Sequence, residues 1–415
     1  MLSYAEHGKF QATAQGQSPR EREEKVFKTT DPARIGCHGP QVSVDHGLRC
    51  SAMVRGGATT GIRASFGAMN FASDNTAPVA PAILDAIVKA NAGFVRGYGN
   101  DDWTRAVERR LAEVFEHEVA VFLVPTGTAA NALALAQVTP PWGVVFCHAD
   151  SHIATDECGA PEFFGSGLKL AGLPGDDGKI APATLKAALG GYGGHSPHQM
   201  VASALSITQA SEAGTIYRPD EIATLAGIAH ARGLAVHMDG ARFANALVRL
   251  NPTPAQMTWQ SGIDVLSFGA TKGGAMAAEA VVMFDPARGA FMAERRKRAG
   301  HLFSKHRFLA VQMAAFLADG CWLTLARHAN AMADLLADGL TAAGHKPIWP
   351  VEANLVFVAL PRALDTKLKA AGADYYVRPS DSLQLGADQV LVRLVTSFAT
   401  EAAEIERFVE LCQNS

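Results

Sequence analysis

The sequence predicts an α/β fold: a large, mostly parallel sheet with helices between its strands, followed by a small carboxyl-terminal α+β domain. From residue 71 onward, short apolar and often β-branched runs alternate with helical patterns, which is typical of βαβ units. The strand-like runs end near residue 284, and long helical stretches follow to about residue 343. Two further strands and a closing helix then indicate the smaller domain.

Seven strands are predicted for the large sheet from apolar runs bounded by turn residues: 119–124, 143–146, 169–173, 202–208, 234–238, 264–268 and 278–284. A helix is predicted over 103–115, where Val107, Leu111 and Val114 recur at helical spacing. Similar patterns cover 181–189 and 219–231. The small domain is predicted to contain strands at 355–359 and 390–395 and a helix over 401–412.

Three regions are predicted along the 415 residues. Residues 1–68 mix Gln, Ser, Gly, Arg and Lys without an apolar period, which predicts a poorly ordered amino-terminal arm. Met53 or Met69 could also be the true start, and the arm would then not belong to the protein. Residues 69–310 are predicted to form the large α/β domain, and residues 311–415 the small α+β domain.

Composition excludes several classes of protein. The 37 Lys+Arg against 40 Asp+Glu give a net charge of −3, which argues against a nucleic-acid partner because phosphate binding needs a basic surface. The chain has no apolar run of 18 residues and no secretory pattern, so neither a membrane partner nor a secreted protein is expected. No HxxxH or HExxH pattern places two histidines on one face of a predicted helix, so a metal site is not supported. Scattered cysteines predict reduced thiols in a cytoplasmic protein: Cys37, Cys50, Cys147, Cys158, Cys321 and Cys412.

The segment VHMDGARFANA, residues 236–246, carries the first candidate site. An apolar strand delivers Asp239 at its carboxyl end, Gly240 allows a tight turn, and Arg242 follows. Ligands of open α/β sheets bind outside such strand ends. The alternative is that Asp239 caps a short helix beginning at Ala241, because Asp is favoured at that position.

A lysine isolated between two apolar strands is the second candidate. Within 265–284 only Lys272 and Glu279 are charged, and apolar surroundings disfavour the ammonium form, which leaves an amine able to attack a carbonyl. A surface lysine in a turn is the alternative. Asp239 after one strand and Lys272 after the next are what a pyridoxal phosphate enzyme needs, to protonate the pyridine nitrogen and to form the Schiff base.

Two further segments fit the same cofactor. The run 121–136 reads as a strand, a turn containing Gly127 and Thr128, and an Ala/Leu-rich helix, so backbone N–H groups would face a phosphate. It matches neither GxGxxG nor GxxxxGK[ST], which makes nucleotide binding the poorer explanation. His152 lies in a loop after a strand, where an imidazole could stack on a flat ring and exchange protons, although a loop histidine without a role is the alternative.

Two anion-binding candidates lie outside these segments. Ser73 occurs in FASDN, and Arg393 lies in the otherwise apolar strand VLVRLV. A guanidinium in such a strand is costly unless it meets a carboxylate.

Taken together, the motifs resemble those of the low-specificity L-threonine aldolases, particularly the bacterial branch that includes phenylserine aldolases. The resemblance spans roughly residues 70–411 and rests on motifs in the same order: FASDNTAP (71–78), RGYGNDDWT (96–104), PTGTAANALALA (125–136), SHIATDECGAPEFF (151–164), ITQASEAGTIYRPDE (207–221), HMDGARFANA (237–246), SFGATKGGAMAAEA (267–280), GHLFSKHRFLA (300–310) and VEANLVF (351–357).

The resemblance implies the aspartate-aminotransferase-like pyridoxal phosphate fold and a homo-oligomer, dimer or tetramer, with active sites shared between subunits. It implies that Lys272 holds the cofactor and that Asp239 pairs with its ring nitrogen. The other implied roles are ring stacking for His152, phosphate binding for Gly127 and Thr128, and binding of the substrate α-carboxylate for Ser73, Arg242 and Arg393. Arg242 is also implied to reach the cofactor. A neighbouring subunit is implied to contribute Tyr98 towards the substrate and Lys305 towards the phosphate.

The implied reaction is retro-aldol cleavage of L-threonine, L-allo-threonine and related β-hydroxy-α-amino acids to glycine and an aldehyde. His152 is the candidate base for the β-hydroxyl proton. Some relatives carry a second histidine in the stretch corresponding to 209–212, where this chain reads QASE. The alternatives are β-elimination, racemisation or transamination on the same cofactor, and, in a different class, a non-catalytic relative that has kept the fold.

Overall fold

The computed structural model describes residues 69–193, 197–379, 383 and 385–413, so the predicted arm over 1–68 lies outside the described residues. The strands in the described ranges are β1 (Met69–Asn70), β2 (Ala120–Val124), β3 (Gly143–His148), β4 (Lys169–Leu173), β5 (Val201–Thr208), β6 (Ala235–Gly240), β7 (Val265–Gly269), β8 (Glu279–Met283), β9 (Leu355–Pro361), β10 (Ala373–Asp374), β11 (Tyr376–Arg378) and β12 (Gln389–Val395).

Helices connect most of these strands. The α-helices are α1 (Pro81–Ala90), α2 (Asp102–Val114), α3 (Gly127–Val138), α4 (His152–Thr155), α5 (Ala160–Phe164), α6 (Pro182–Gly190), α7 (Pro219–His230), α8 (Phe243–Leu250), α9 (Pro254–Met257), α10 (Met292–Arg298), α11 (Arg307–Leu317), α12 (Cys321–Ala342), α13 (Arg362–Ala370) and α14 (Ala402–Gln413).

The large sheet has seven strands in the order β2-β8-β7-β6-β5-β3-β4. Neighbours from β7 through β4 are parallel, whereas β8 runs antiparallel to both β7 and β2. A second sheet, β11-β12-β9, is antiparallel and lies in the carboxyl-terminal part. The predicted fold class, a large mostly parallel sheet with a small α+β domain, is therefore confirmed.

The two faces of the large sheet have different chemistry. On β6 and β7, Val236, Met238, Leu266 and Phe268 pack into the main apolar core. The opposite face of β6 carries His237 and Asp239, and it lies under α3. Because α3 is Ala/Leu-rich and almost wholly buried, it covers this polar face with few polar atoms of its own.

His237 shows how the polar face is satisfied. Its Nδ1 lies 2.8 Å from Ser206 Oγ and its Nε2 lies 3.0 Å from Ser267 Oγ, so both ring nitrogens have partners on the neighbouring strands. Burial lowers the pKa of His237 to about 4, and the ring is neutral near pH 7.

The small sheet packs against α12, α13 and α14, with Leu336, Val358, Leu364 and Phe408 in its core. The first described residues join this core: β1 pairs with β10, and the rings of Phe71 and Phe408 are 5.3 Å apart. The predicted arm boundary and the division at residue 310 stay predictions. The short strands β1, β10 and β11 were missed because two or three residues show no periodicity.

By length and composition the stretch Arg307–Ala342 could cross a membrane. It is interrupted at Ala318–Gly320, between α11 and α12. Leu309, Phe316 and Trp322 are buried in the core of the large sheet, whereas Leu336 is buried in that of the small one. These four apolar residues are therefore used in packing.

Candidate active site

The carboxyl ends of the central strands meet at one edge of the large sheet. Thr208 at the end of β5 is paired with Asp239 of β6, and Asp239 is paired with Ser267 of β7. The loop after β7 carries Lys272, whose charge interacts with that of Asp239. The structure therefore brings the two residues that suggested the cofactor to the same edge.

Asp239 is buried and belongs to β6. The backbone N–H of Ala241 donates to its Oδ1 at 2.9 Å, and Asn131 Nδ2 of α3 donates to its Oδ2 at 2.8 Å. The next helix, α8, begins only at Phe243, so the alternative that Asp239 caps a helix starting at Ala241 is wrong. The two bonds fix the direction of the carboxylate.

Asn131 also links Asp239 to His152 through a buried glutamate. Its Nδ2 donates to Glu157 Oε1 at 2.8 Å, and His152 Nδ1 lies 2.9 Å from the same oxygen. The hydrogen bond to Glu157 raises the pKa of His152, and Asp239 adds to the effect. Burial raises the pKa of Glu157.

A second carboxyl holds the main chain at His152. Glu212 Oε1 accepts the backbone N–H of His152 at 2.8 Å, and burial raises the pKa of Glu212. His152 is the first residue of the short helix α4, not a loop residue as predicted. Glu212 lies in the QASE stretch, where some relatives carry a histidine, and here it anchors this helix.

The loop that carries Lys272 is closed by hydrogen bonds. Glu279 Oε2 accepts the backbone N–H of Ala270 at 2.9 Å, and Gly274 N donates to Thr271 O. Gly274 has φ +123°, and a side chain there would press on Ala80, so glycine is required at this turn. Burial, followed by the nearby Arg242 guanidinium, lowers the pKa of Lys272, which favours the free amine.

Facing this loop is a buried ion pair. Arg242 Nε and Nη2 donate to the two oxygens of Asp74 at 2.8 and 3.0 Å, and Asn354 Nδ2 donates to Asp74 Oδ2 at 3.1 Å. Burial alone would raise the pKa of Asp74, but the cations of Arg242 and Lys272 hold it below its ordinary value. Arg242 is thus pre-oriented by Asp74, and it is not wholly free for a ligand.

Arg393 differs from Arg242 because no carboxylate within the described ranges pairs with it. Its Nη2 donates to Ala72 O at 3.1 Å, its guanidinium lies 5.2 Å from the centre of the Tyr376 ring, and its Nε is buried without a partner among the described residues. Burial, with Arg242 and Arg378 nearby, lowers the pKa of Arg393 to about 10. A ligand carboxylate would supply the missing acceptor.

Three further residues were predicted to bind anions, namely Ser73, Gly127 and Thr128. Ser73 precedes Asp74, and its Oγ accepts the N–H of Asn75 at 3.2 Å. Gly127 and Thr128 open α3, where Thr126 caps the helix, so their N–H groups have no partner within the helix and can face an anion.

Tyr98 and Lys305 lie on exposed loops that are joined by the Tyr98 N–H donating to Ser304 O at 3.0 Å. Among the described residues, no hydrogen bond or ion pair connects either side chain to Lys272 or Asp239. The structure of one chain therefore does not bring these two residues into the site.

Sequence analysis missed Asp74, Asn131, Glu157 and Asn354 as contributors to the site. Asn131 is a polar residue in the otherwise apolar helix α3, which was a usable signal. Asp74 stands next to the predicted Ser73. Asn354 gave no local signal, because its partner Asp74 is 280 positions away, and Glu157 gave none because its contact with Asn131 spans 26 positions.

The arrangement combines an amine, a carboxylate, an imidazole, two guanidinium groups and a helix amino terminus. In the parts of the chain that the structure describes, no group of His, Cys, Asp or Glu residues could hold a metal ion. The unpartnered Arg393 Nε and the α3 terminus fit a ligand with a carboxylate and a phosphate. These donors match pyridoxal phosphate with an amino acid.

Comparisons with known proteins agree with this site. Residues 70–363 match the family described as beta-eliminating lyases. The chain is 42% identical over 308 residues to low specificity L-threonine aldolases of Pseudomonas sp. (strain NCIMB 10558) and Pseudomonas aeruginosa, covering 74% of this chain and 88% of each relative.

Solved structures give the same result. A threonine aldolase of Leishmania major superposes with a TM-score of 0.78 at 30% identity, covering 83% of this chain and 98% of that one. Serine palmitoyltransferase of Sphingomonas wittichii, at 15% identity and a TM-score of 0.63, covers 83% of this chain and 86% of its own and shares the fold. The chain therefore belongs to the beta-eliminating lyase family and, within it, to the low-specificity L-threonine aldolases.

Proposed function

We propose that the protein is a pyridoxal-phosphate-dependent aldolase that cleaves L-threonine, L-allo-threonine and related β-hydroxy-α-amino acids to glycine and an aldehyde. The observation that carries this proposal is the imidazole of His152. Glu157 binds its Nδ1, and its Nε2 has no partner among the described residues, within electrostatic reach of Lys272 and Asp239. Such a nitrogen can accept the proton of a β-hydroxyl group.

Several groups bind and orient the substrate. Arg393, with Ser73 and the pre-oriented Arg242, receives the α-carboxylate. Fixing that group at one end of the site directs the Cα–Cβ bond of the amino acid, and orientation of this kind is a large part of catalysis.

Lys272 would attach the cofactor, and the α3 terminus at Gly127 and Thr128 would hold its phosphate. Asp239 would keep a proton on the ring nitrogen, and His152 would contact the ring. When bound, pyridoxal phosphate supplies the electron sink that accepts the electron pair of the breaking Cα–Cβ bond. The chain supplies positioning, proton transfer at His152 Nε2, and a charge opposite the ring nitrogen.

A second candidate is β-elimination, which the description of the matching family favours. Elimination expels the β-hydroxyl as water and leaves a 2-oxo acid and ammonia, whereas the aldolase reaction leaves glycine. A base held beside the β-hydroxyl favours cleavage, because removing that proton makes the hydroxyl a poorer leaving group.

The proposal is tested by aldehyde release from purified protein loaded with pyridoxal phosphate. L-Threonine, L-allo-threonine and L-phenylserine are supplied in turn. Acetaldehyde from the first two is read through NADH consumption by alcohol dehydrogenase, and benzaldehyde from phenylserine is read by its ultraviolet absorbance. We expect turnover with at least one substrate. If none of them releases an aldehyde from protein that carries the cofactor, the proposal is wrong.

Replacing Lys272 tests the attachment site. Lys272→Ala should lower turnover by more than about 10³-fold, because the amine that holds and releases the cofactor is absent. Borohydride reduction followed by peptide mapping should label Lys272 in the wild type only. The exposed Lys186→Ala provides a control and should keep both the label and the turnover. Unchanged turnover in Lys272→Ala would contradict the scheme.

We also propose that the protein acts in the cytoplasm as a homo-oligomer with shared active sites. Exposed apolar side chains from α1, from the loops near 94 and 303 and from the residue before α10 support the assembly: Leu84, Val88, Phe94, Val95, Phe291 and Phe303. The Arg307 guanidinium donates to Ala92 O and Gly93 O, which ties these segments together. The same region carries Tyr98 and Lys305.

Light scattering of the wild type and of a double variant, Phe94→Ser combined with Phe291→Ser, tests the assembly. We expect a dimer or tetramer for the wild type and a smaller species for the double variant, while the exposed Trp142→Ser should leave the mass unchanged. Sharing predicts that mixing subunits carrying Lys272→Ala with subunits carrying Lys305→Ala restores part of the activity. A monomeric, active wild type would contradict the proposal.

A further inference from the structure

Glu157 is placed to fix the orientation and tautomer of the His152 ring without contacting the substrate itself. Its side chain is fully buried, whereas that of His152 is 40% exposed. Glu157 Oε1 is within hydrogen-bond distance of two groups, Asn131 Nδ2 at 2.8 Å and His152 Nδ1 at 2.9 Å. The carboxyl therefore lies behind the imidazole, on the side away from solvent.

The contacts of Asn131 decide which groups donate. Its Nδ2 lies 2.8 Å from both Glu157 Oε1 and Asp239 Oδ2, and each of those oxygens belongs to a carboxyl group. An amide can satisfy two carboxylate oxygens only by donating both of its N–H bonds. Glu157 Oε1 thus accepts from Asn131, and with Glu157 ionised it has no hydrogen of its own, so the hydrogen between it and His152 belongs on Nδ1.

We propose that Glu157 is a positioning residue for His152: by accepting the Nδ1 hydrogen it fixes the ring and leaves Nε2 as the ring nitrogen that accepts the substrate proton. This inference rests on the proposed function for the identity of that proton. The fixed tautomer itself follows from the contacts of Glu157 and Asn131, and it can be tested without substrate.

The charges around His152 come from several elements. Glu157 follows α4, Asp239 ends β6, and Lys272 lies after β7; Glu157 and Asp239 raise the pKa of His152, and Lys272 lowers it. Glu212, from the loop after β5, contacts the backbone N–H of His152 and not its ring. Replacing Glu157 should therefore change the pKa of the His152 ring, whereas replacing Glu212 should leave that pKa unchanged.

The test is the rate at which diethyl pyrocarbonate modifies His152, followed by peptide mass spectrometry as a function of pH. The reagent attacks the unprotonated imidazole, so the midpoint of the rate reports protonation of His152. The full chain is used with and without bound pyridoxal phosphate. We expect Glu157→Gln to move the midpoint down by about one pH unit, because an amide oxygen is a weaker acceptor than a carboxylate.

Kinetics give the second readout. In Glu157→Gln the fall of kcat at acid pH should move to lower pH together with the midpoint, and kcat at its optimum should drop about 10- to 100-fold with little change in KM. Glu212→Gln should leave the midpoint where it is in the wild type, since its bond is to the backbone.

An unchanged midpoint in Glu157→Gln overturns the proposal. If Glu157→Gln does not fold, Glu157→Asp keeps the charge and withdraws the oxygen by about 1.5 Å, the length of one C–C bond. An unchanged midpoint in that variant also overturns it. A shifted midpoint in a protein that does not cleave β-hydroxy amino acids supports the positioning role and refutes only the proposed function.

Discussion

The candidate site has two halves that are built in opposite ways. The acid half consists of Asp239, Asn131, Glu157, His152 and Glu212, which are joined to one another by hydrogen bonds of 2.8 to 2.9 Å or by the charges of neighbouring carboxyl groups. The cationic half consists of Arg242, Arg393 and Asp74. There the Arg242 guanidinium is paired with the Asp74 carboxylate, whereas Arg393 has a buried Nε without a hydrogen-bond partner in the described ranges.

The difference follows from where the residues come from. The acid half lies entirely on elements of the large sheet, from α3 to the end of β6, so its geometry is set by one core. The cationic half combines Asp74 near the start of the described chain, Arg242 after β6 and Arg393 on β12 of the small sheet. In the described ranges the acid half leaves three buried acceptor oxygens without a donor, Asn131 Oδ1, Glu157 Oε2 and Glu212 Oε2, whereas the cationic half leaves a buried donor, Arg393 Nε, without an acceptor. The cationic half is therefore the one that an anion would complete.

Asn131→Asp should have the largest effect on stability, because it places a third carboxylate between Asp239 and Glu157. We expect a loss of about 3 kcal/mol in the free energy of unfolding at pH 7.5, since like charges are buried together and both acceptors lose their donor. Urea titration at pH 7.5 and 5.5 measures it, and protonation should recover part of the loss at pH 5.5.

Asn131→Leu is the matched control for that variant. It removes the same two hydrogen bonds without adding a charge, so it should be less destabilising at pH 7.5 and recover less at pH 5.5, where two carboxylates and not three can take up a proton. Equal stability of wild type and Asn131→Asp would show that the acid half is not a coupled network.

Arg393→Gln tests the cationic half. The variant should raise KM for L-threonine about 10- to 100-fold with little change in cofactor affinity, because a charged hydrogen bond to the α-carboxylate is lost. Arg393→Lys should recover only part of the affinity, since an ammonium cannot reproduce the planar guanidinium. The exposed Arg327→Gln is the control. A normal KM in Arg393→Gln would remove Arg393 from the site.

Glu279, beneath the Lys272 loop, should make the free energy of unfolding depend on pH. Burial raises its pKa from 4.5 to about 7, so the folded state binds a proton that the unfolded state has released. The stability from protonated Glu279 is complete below pH 4.5 and is lost as the pH rises through about 7, by at most about 1.4 kcal/mol per pH unit.

Glu279→Gln should flatten the dependence of stability on pH between 5 and 7.5, as measured by urea titration. The exposed Glu113→Gln should leave that dependence as it is in the wild type. An identical slope in wild type and Glu279→Gln would show that Glu279 does not titrate in this range.

The fold was predictable because the strands of the large sheet are long apolar runs that end at turn residues. The same periodicity could not reveal β1, β10 or β11, whose two or three residues are fixed by pairing with distant segments. It also could not show that Phe71 packs in the core of the small sheet, since its partner Phe408 is more than 300 positions away.

The site was predictable where a residue is unusual in its own segment. Lys272 is isolated between apolar strands, and Asp239 ends a strand, so both stood out. Glu157 and Asn354 did not, because their roles arise from contacts such as Glu157 with Asn131 and Asn354 with Asp74. The bond between Arg242 and Asp74, 168 positions apart, was likewise visible only in the structure.

The product balance from L-threonine tests the central claim most directly. Protein loaded with pyridoxal phosphate is incubated with L-threonine or L-allo-threonine, and glycine, acetaldehyde, 2-oxobutanoate and ammonia are quantified in the same sample. The account predicts glycine and acetaldehyde in equal amounts. Formation of 2-oxobutanoate and ammonia, without glycine, would contradict it and would assign β-elimination to this site.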